Sequence, residues 1–208
     1  MQTGETVILG NYAGEPIEWL AIAEKDGSFL LLSTHVLEIR PFHPVDESEG
    51  QDSAEGYYET DWESCELRQW LNGEFAAAAF SGEELARIPG TAVTYTRIYK
   101  TLYSFFRGEA QTEDKLFLLS EAQLKKYLPS EANRAAILTD HAMAQLKACP
   151  HRAWGSWWLC ESVHFGYGAH CRYVNNCVWN EKFLGTTLGE TAVWSGDVGV
   201  RPAMWYKP

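Results

Sequence analysis

The 208-residue chain predicts a mixed α+β fold of short antiparallel strands, a few short helices and much irregular loop. Three observations carry that expectation. Apolar residues make up 46% of the chain and nine residues are Trp, enough to bury a core and better suited to many small packed layers than to a helical bundle. Short strand signals punctuated by Asn, Asp and Gly turns open the chain. Near its other end, Trp157 to Ala203 holds a segment whose middle follows neither the helical period nor strict strand alternation.

Taken in order, Thr6–Gly10 and Pro16–Ala23 read as strands joined by the turn residues Asn11 to Gly14, and Asp26-Gly27 signals a hairpin into a buried strand, Ser28–Ser33. Arg40 to Glu63 carries Asp46, Glu47, Glu49, Asp52, Glu55, Glu59, Asp61 and Glu63 and, after Arg40, no Lys or Arg. Without the alternating spacing and central Gly of a calcium loop, it reads as solvated surface. Ser64 is placed to cap a helix whose Leu67, Trp70 and Leu71 share a face, and Gly73 should break it before a second short helix ending at Phe80. Ser81 caps Gly82–Ile88, Thr91–Ile98 is a loose strand, and Lys100–Asp114 reads as loop. Leu116–Leu119 is a short strand, and Ser120 caps a helix over Glu121–Tyr127. Ala132–Leu146 is either a helix or a partly ordered crossing. Trp157-Trp158-Leu159 begins a packed strand, and a last strand over Val200–Tyr206 accepts Pro202 only at an edge or bulge. With no internal repeat, low-complexity segment or linker, residues 1–208 read as a single domain.

Charge and motif content exclude several functions. A net charge of -11 argues against nucleic acid and against anionic membrane surfaces, both of which need clustered Lys and Arg. No apolar run is long enough to span a bilayer, so no membrane insertion is expected. The N-terminus has no basic and apolar leader pattern, which points to a cytoplasmic setting with Cys65, Cys149, Cys160, Cys171 and Cys177 reduced, and permits a phage-associated one. Catalytic signatures such as G-x-S-x-G, H-E-x-x-H and the P-loop are absent, and the expectation is a non-enzyme without cofactor. His164, His170, Cys171 and Cys177 offer metal-ligand chemistry, but their gaps match no zinc spacing, and His170 and Cys171 would point to opposite faces of a strand. No metal is expected. Trp70, Trp157 and Trp158 read as core. Arg201, between Val200 and Pro202, would need carboxylate or carbonyl partners if buried.

An ordered set of motifs adds a family. Ile17-Glu18-Trp19-Leu20, Leu31-Leu32-Ser33, Leu67-Arg68-Gln69-Trp70-Leu71-Asn72, Phe117-Leu118-Leu119-Ser120, Trp157-Trp158-Leu159 and Gly199-Val200-Arg201-Pro202-Ala203 occur in that order. In this the chain resembles bacterial and phage domains of C-type lectin-like fold, of the formylglycine-generating-enzyme-like subtype. That group includes the variable proteins of diversity-generating retroelements. The resemblance implies a fixed scaffold whose exposed face is randomised by error-prone copying at template adenines, with a constant G-V-R-P-A stretch closing the variable region, here 157–203. Codons of the AAY kind mutated at adenine never yield Trp, Met, Lys, Gln or Glu. From Cys160 to Cys177 only Glu161 belongs to that excluded set, although those five types fill 47 of the 208 positions.

The implied function is binding of a protein or glycan ligand. The expected contact residues are Ser162, His164, Phe165, Tyr167, His170, Arg172, Tyr173, Asn175 and Asn176, with Trp179 and Asn180 at the margin. Aromatic and Arg side chains would supply most affinity, Asn and His the adaptable polar contacts. The alternative is a formylglycine-generating-type metalloenzyme or thiol enzyme using Cys160, Cys171 or Cys177. The copper-binding cysteine pair of those enzymes has no counterpart here. Calcium-dependent sugar binding, hinted at by Trp179-Asn180, is not carried over because its Glu-Pro-Asn partner is missing.

Overall fold

Turn chemistry builds the first layer. β1 (Thr6–Tyr12), β2 (Glu15–Lys25) and β3 (Ser28–Ser33) form an antiparallel meander. Ala13-Gly14 and Asp26-Gly27 both adopt positive φ, the pattern of two-residue hairpins whose twist matches the flanking strands. The structure is a computed structural model and describes residues 1–44, 60–100, 103–146, 154–165, 168–179 and 182–208. Most of the acidic stretch, from Asp46 to Glu59, therefore lies outside the described residues.

Two sheets carry the mixed α+β architecture, with strands predominating. In the first, β14 (Ala203–Tyr206) slots between β3 and β8 (Leu116–Phe117), so both ends of the chain meet in one five-stranded sheet. The second has seven strands and centres on β10 (Trp157–Phe165). One edge of β10 pairs antiparallel with β11 (Gly168–Trp179), which pairs with β12 (Lys182–Ala192). Its other edge is shared. Trp157 pairs parallel with Gly199 of β13 (Gly199–Val200), and Ser162 to Phe165 pair parallel with β6 (Thr91–Lys100). Outermost on that side are β5 (Glu38–Ile39), against β13, and β7 (Phe105–Asp114), against β6. A small parallel pair joins β4 (His35–Val36) to β9 (Ile137–Leu138).

Strands in the large sheet run to 12 residues and include parallel pairs, so they are neither uniformly short nor uniformly antiparallel. Lys100–Asp114 is the largest departure from the sequence reading. It holds β7, a ten-residue strand fully laddered to β6. Its inward positions are Gly108, Ala110, Thr112 and Asp114, small or polar groups that leave no apolar alternation to read. Asp114 fixes its base: the carboxylate accepts from Trp62 Nε1 (3.0 Å), Arg68 Nε (2.7 Å), Thr112 Oγ1 (2.6 Å) and Asn72 Nδ2 (3.3 Å).

The helices are short. Residues Glu66–Trp70 (α1), a π-helical turn over Leu71–Phe75, and Ala76–Ala79 (α2) follow without a break, the turn absorbing Gly73 and keeping Leu67, Leu71 and Phe75 buried. Cys65 rather than Ser64 caps α1, since Ser64 is committed to a reciprocal turn with Asp61. Ser81 and Ser120 make the expected capping boxes on α3 (Gly82–Ala86) and α4 (Glu121–Tyr127). The 132–146 stretch resolves into α5 (Glu131–Arg134), β9 and α6 (Asp140–Gln145). No helix among the described residues is long and apolar enough to cross a membrane.

The core joins the two sheets through Trp19, Leu30, Leu32, Trp62, Phe117, Trp157, Trp158 and Met204, all fully buried. The buried indoles find carbonyl acceptors: Trp19 on Leu9, Trp157 on Arg134 and Trp158 on Arg40. Val200 and Ala203 lie in different sheets, with Arg201-Pro202 as the crossing. Arg201 is buried there. Its Nε donates to the Ser33 carbonyl (2.8 Å) and its Nη1 to that of Arg134 (3.2 Å), with the guanidinium 5.0 Å from the Trp157 ring centre. Burial pulls this guanidinium down to about 9, which leaves it charged at neutral pH. Gly199 is required at the same crossing, because a Cβ would collide with Val36 and crowd the Glu38 carbonyl.

Candidate functional site

The segment expected to be irregular forms a long β-hairpin, β10 and β11, extended by β12. Its composition hid this because burial on both faces at its base removes the in–out alternation of a half-exposed strand. Around the double Trp, Trp157, Trp158, Leu159 and Cys160 are all fully buried. Further along, β6 and β7 join the sheet beside the hairpin, and its character changes.

Three rings line up across three strands at this end. Phe106 of β7 is in register with Tyr99 of β6, and Tyr99 with His164 of β10. The Tyr99 and His164 rings stack 4.7 Å apart with planes 13° apart. Exposure rises outward along the row, from 6% at His164 to 41% at Tyr99 and 63% at Phe106. Tyr103 and Phe105 are exposed as well, at 97% and 54%, with Phe105 on the opposite face of β7 from Phe106. Trp194, just beyond the residue that pairs with His170, is 43% exposed. Clustered exposed aromatics of this kind mark binding surfaces. Tyr103, Phe105 and Phe106 fall in the stretch that reads as loop, and Tyr99 just past the strand that reads as Thr91–Ile98, so the sequence offers no reason to count them as contacts.

The expected contact residues divide by burial. Ser162, His164 and Asn176 are buried, which takes them off any exposed face. The Ser162 hydroxyl lies 3.3 Å from His164 Nε2. Asn176 donates from Nδ2 to the carbonyls of Ala136 and Gly155, tying the chain before β10 to β11, so it is scaffold. His170, Arg172, Tyr173 and Asn175 are half-buried. Tyr173 packs edge-on to Trp158 at 6.3 Å and covers its cross-strand partner Gly189, where a Cβ would meet the ring at 2.6 Å. Asn175 Oδ1 accepts from the Ser156 hydroxyl. Arg172 is not a free guanidinium: it lies 3.3 Å from Glu190 and 3.4 Å from Glu121, and Lys100 Nζ also binds Glu190 at 2.8 Å. Phe165 and Trp179 sit on β10 and β11 with side chains outside the described part, and Tyr167 and Asn180 lie outside the described residues.

Alternation on β11 separates His170 from Cys171, and Cys171 is fully buried. Among the described residues no three His, Cys, Asp or Glu side chains cluster as metal ligands. Burial pushes the thiols of Cys160 and Cys171 well above their ordinary value, the opposite of what a nucleophilic thiolate needs. These two cysteines therefore do not fit the copper or thiol chemistry of the alternative reading, and the Cys177 side chain lies outside the described part.

Glu161, the one residue of the segment outside the adenine-derived set, is a buried carboxyl whose Oε1 accepts the Glu121 backbone N–H at 2.6 Å. Burial, with the Glu121 carboxylate adding to it, pushes Glu161 up to about 7.

None of the curated proteins and none of the solved structures matches the chain. Residues 26–208 match the family model described as a domain of unknown function, DUF6273, and the chain belongs to that family.

Proposed function

We propose that this chain is a ligand-binding protein presenting its recognition surface at one end of the seven-stranded sheet, on a C-type lectin-like scaffold diversified by a retroelement. The carrying observation is the row of rings Phe106, Tyr99 and His164, which opens onto further exposed aromatics beside the β10–β11 hairpin. Rigid aromatics at a sheet end give large contact area at low conformational cost, the economy that binding loops also use. Of the half-buried positions of β11, Tyr173 and Asn175 lie on the His164 face of the sheet and His170 and Arg172 on the opposite face, toward Glu121; these four supply the replaceable part. Asn176, Cys171 and Val174 are buried and belong to the constant part. The ligand is a protein or glycan, and the protein itself is not an enzyme.

The test is on DNA. The region downstream of the gene is sequenced for a near-copy of the codons for 157–203, beside a reverse transcriptase. Mismatches at template adenines falling on the codons of His170, Arg172, Tyr173 and Asn175, and sparing those of Cys171, Val174 and Glu161, support the proposal. Mismatches spread evenly over buried and half-buried codons, or no such copy, sink its diversification half. Binding then rests on the aromatic surface alone.

A further inference from the structure

The face of the large sheet opposite the Tyr99–His164 stack carries a separate cavity. Side chains alternate along β6, so Thr96 and Ile98 face away from Tyr99. With Arg107 of β7 and Ala122 of α4 they wall a cavity of about 210 Å³ that reaches Glu161. That volume is below the roughly 300–1,000 Å³ of pockets for drug-sized molecules, so the occupant is small.

Two groups facing this cavity lack a direct polar partner among the described residues. Glu161 is 3% exposed, and while its Oε1 accepts from the Glu121 N–H, its Oε2 is buried with no hydrogen bond. A buried carboxyl oxygen without a partner is uncommon and costly. Arg107, on the wall, has no carboxylate within ion-pair distance among the described residues; it lies over its neighbour Phe105 and acts on the Glu121 carboxylate only at longer range. Of the other charges at the cavity, Lys125 pairs with Glu121 at 2.5 Å, and Arg172 Nε lies 3.4 Å from Glu121 without a hydrogen bond. A buried carboxyl oxygen and a guanidinium thus share one small cavity, each without a direct polar partner among the described residues, beside the apolar surface of Ile98 and Ala122.

We propose that this cavity binds a free α-amino acid of small side chain, its ammonium on Glu161 Oε2, its carboxylate on Arg107, and its side chain against Ile98 and Ala122. The ligand supplies at once the donor that Oε2 lacks and a carboxylate at contact distance for Arg107. Binding also has a pH signature. The groups facing Glu161 are Glu121 and Lys125 of α4, Arg107 of β7, Arg172 of β11 and the neighbouring Cys160 thiol. Burial first, and then the Glu121 carboxylate, oppose ionisation of Glu161 while Arg172 favours it, so the charged form that holds an ammonium fills in as pH rises through about 7.

The test uses the full chain and the twenty free L-amino acids as probes, each at about 10 mM, read first by melting temperature and then by titration calorimetry. Small members such as L-alanine or L-serine should raise the melting temperature and bind more tightly at pH 8 than at pH 6. Propionate and ethylamine, which carry one charge each, should bind about tenfold or more weakly. Arg107→Ala, at an exposed position that cannot threaten folding, should weaken L-alanine about tenfold, and Glu161→Gln likewise. If no amino acid shifts the melting temperature of the wild-type chain, the proposal is overturned. It is equally overturned if ethylamine binds as well as L-alanine, or if Arg107→Ala leaves binding unchanged.

Discussion

The imidazole of His164 lies flat on the ring of Tyr99, 4.7 Å between centroids. The two residues are 65 positions apart in sequence and meet because β6 and β10 run parallel in register. Local pattern cannot show such a contact, yet it brings the exposed aromatics of one hairpin beside the other.

Tyr99→Ala should lower stability by about 1 kcal/mol, the worth of one aromatic pair beyond its area. Phe106→Ala, at the exposed end of the same row, should stay within about 0.5 kcal/mol. Urea unfolding of both variants checks this. Equal losses would mean that Phe106 is a packing residue, and would weaken the case for a recognition surface.

Asp114 is 3% exposed and accepts from four side chains. Asp114→Ala would strand the Trp62 and Thr112 donors and the Arg68 charge, at a cost of about 3–5 kcal/mol by urea titration. Asp114→Asn should cost less, because an amide keeps one acceptor oxygen. A loss below 1 kcal/mol for the alanine variant would show that β7 is not anchored there.

Arg201→Met keeps the length of the side chain but leaves the Ser33 carbonyl, and that of Arg134 in part, without a charged donor. The expected loss is about 2–4 kcal/mol. Calorimetric melting of this variant beside wild type is the measurement. An unchanged melting temperature would mean that Arg201 does not tie the sheet crossing together.

Glu161 makes stability depend on pH. Its ordinary value is 4.5 and its folded value about 7, so the folded chain holds this proton more tightly than the unfolded chain. The stabilisation is complete below 4.5 and is lost as pH rises through about 7, with a span on the order of 3 kcal/mol. Glu161→Gln stays neutral throughout. Relative to wild type, its stability should therefore climb between pH 4.5 and 7 and level off above. Parallel stability curves for the two proteins would refute the assignment.

Features governed by neighbours in sequence were legible. Asp26-Gly27 specifies its hairpin because both residues tolerate positive φ, and Ser81 and Ser120 start their helices because a hydroxyl and a Glu or Gln three residues on satisfy free N–H groups. The core role of Trp157 and Trp158 followed from size and apolarity, and the need of Arg201 for partners, carboxylate or carbonyl, from the cost of burying a charge unmatched; the structure made them carbonyls. Position along a sheet was not legible. β7 is a strand because β6 supplies ten partners for a segment whose inward residues are Gly, Ala, Thr and Asp. Ser162, His164 and Asn176 carry the same chemistry as exposed contact residues, and only packing distant in sequence buries them. The sequence by itself determined turns, caps and which residues are large and apolar, because those depend on a few adjacent atoms. Tertiary structure alone decided which polar and aromatic side chains reach solvent, because that depends on which strand lies beside which.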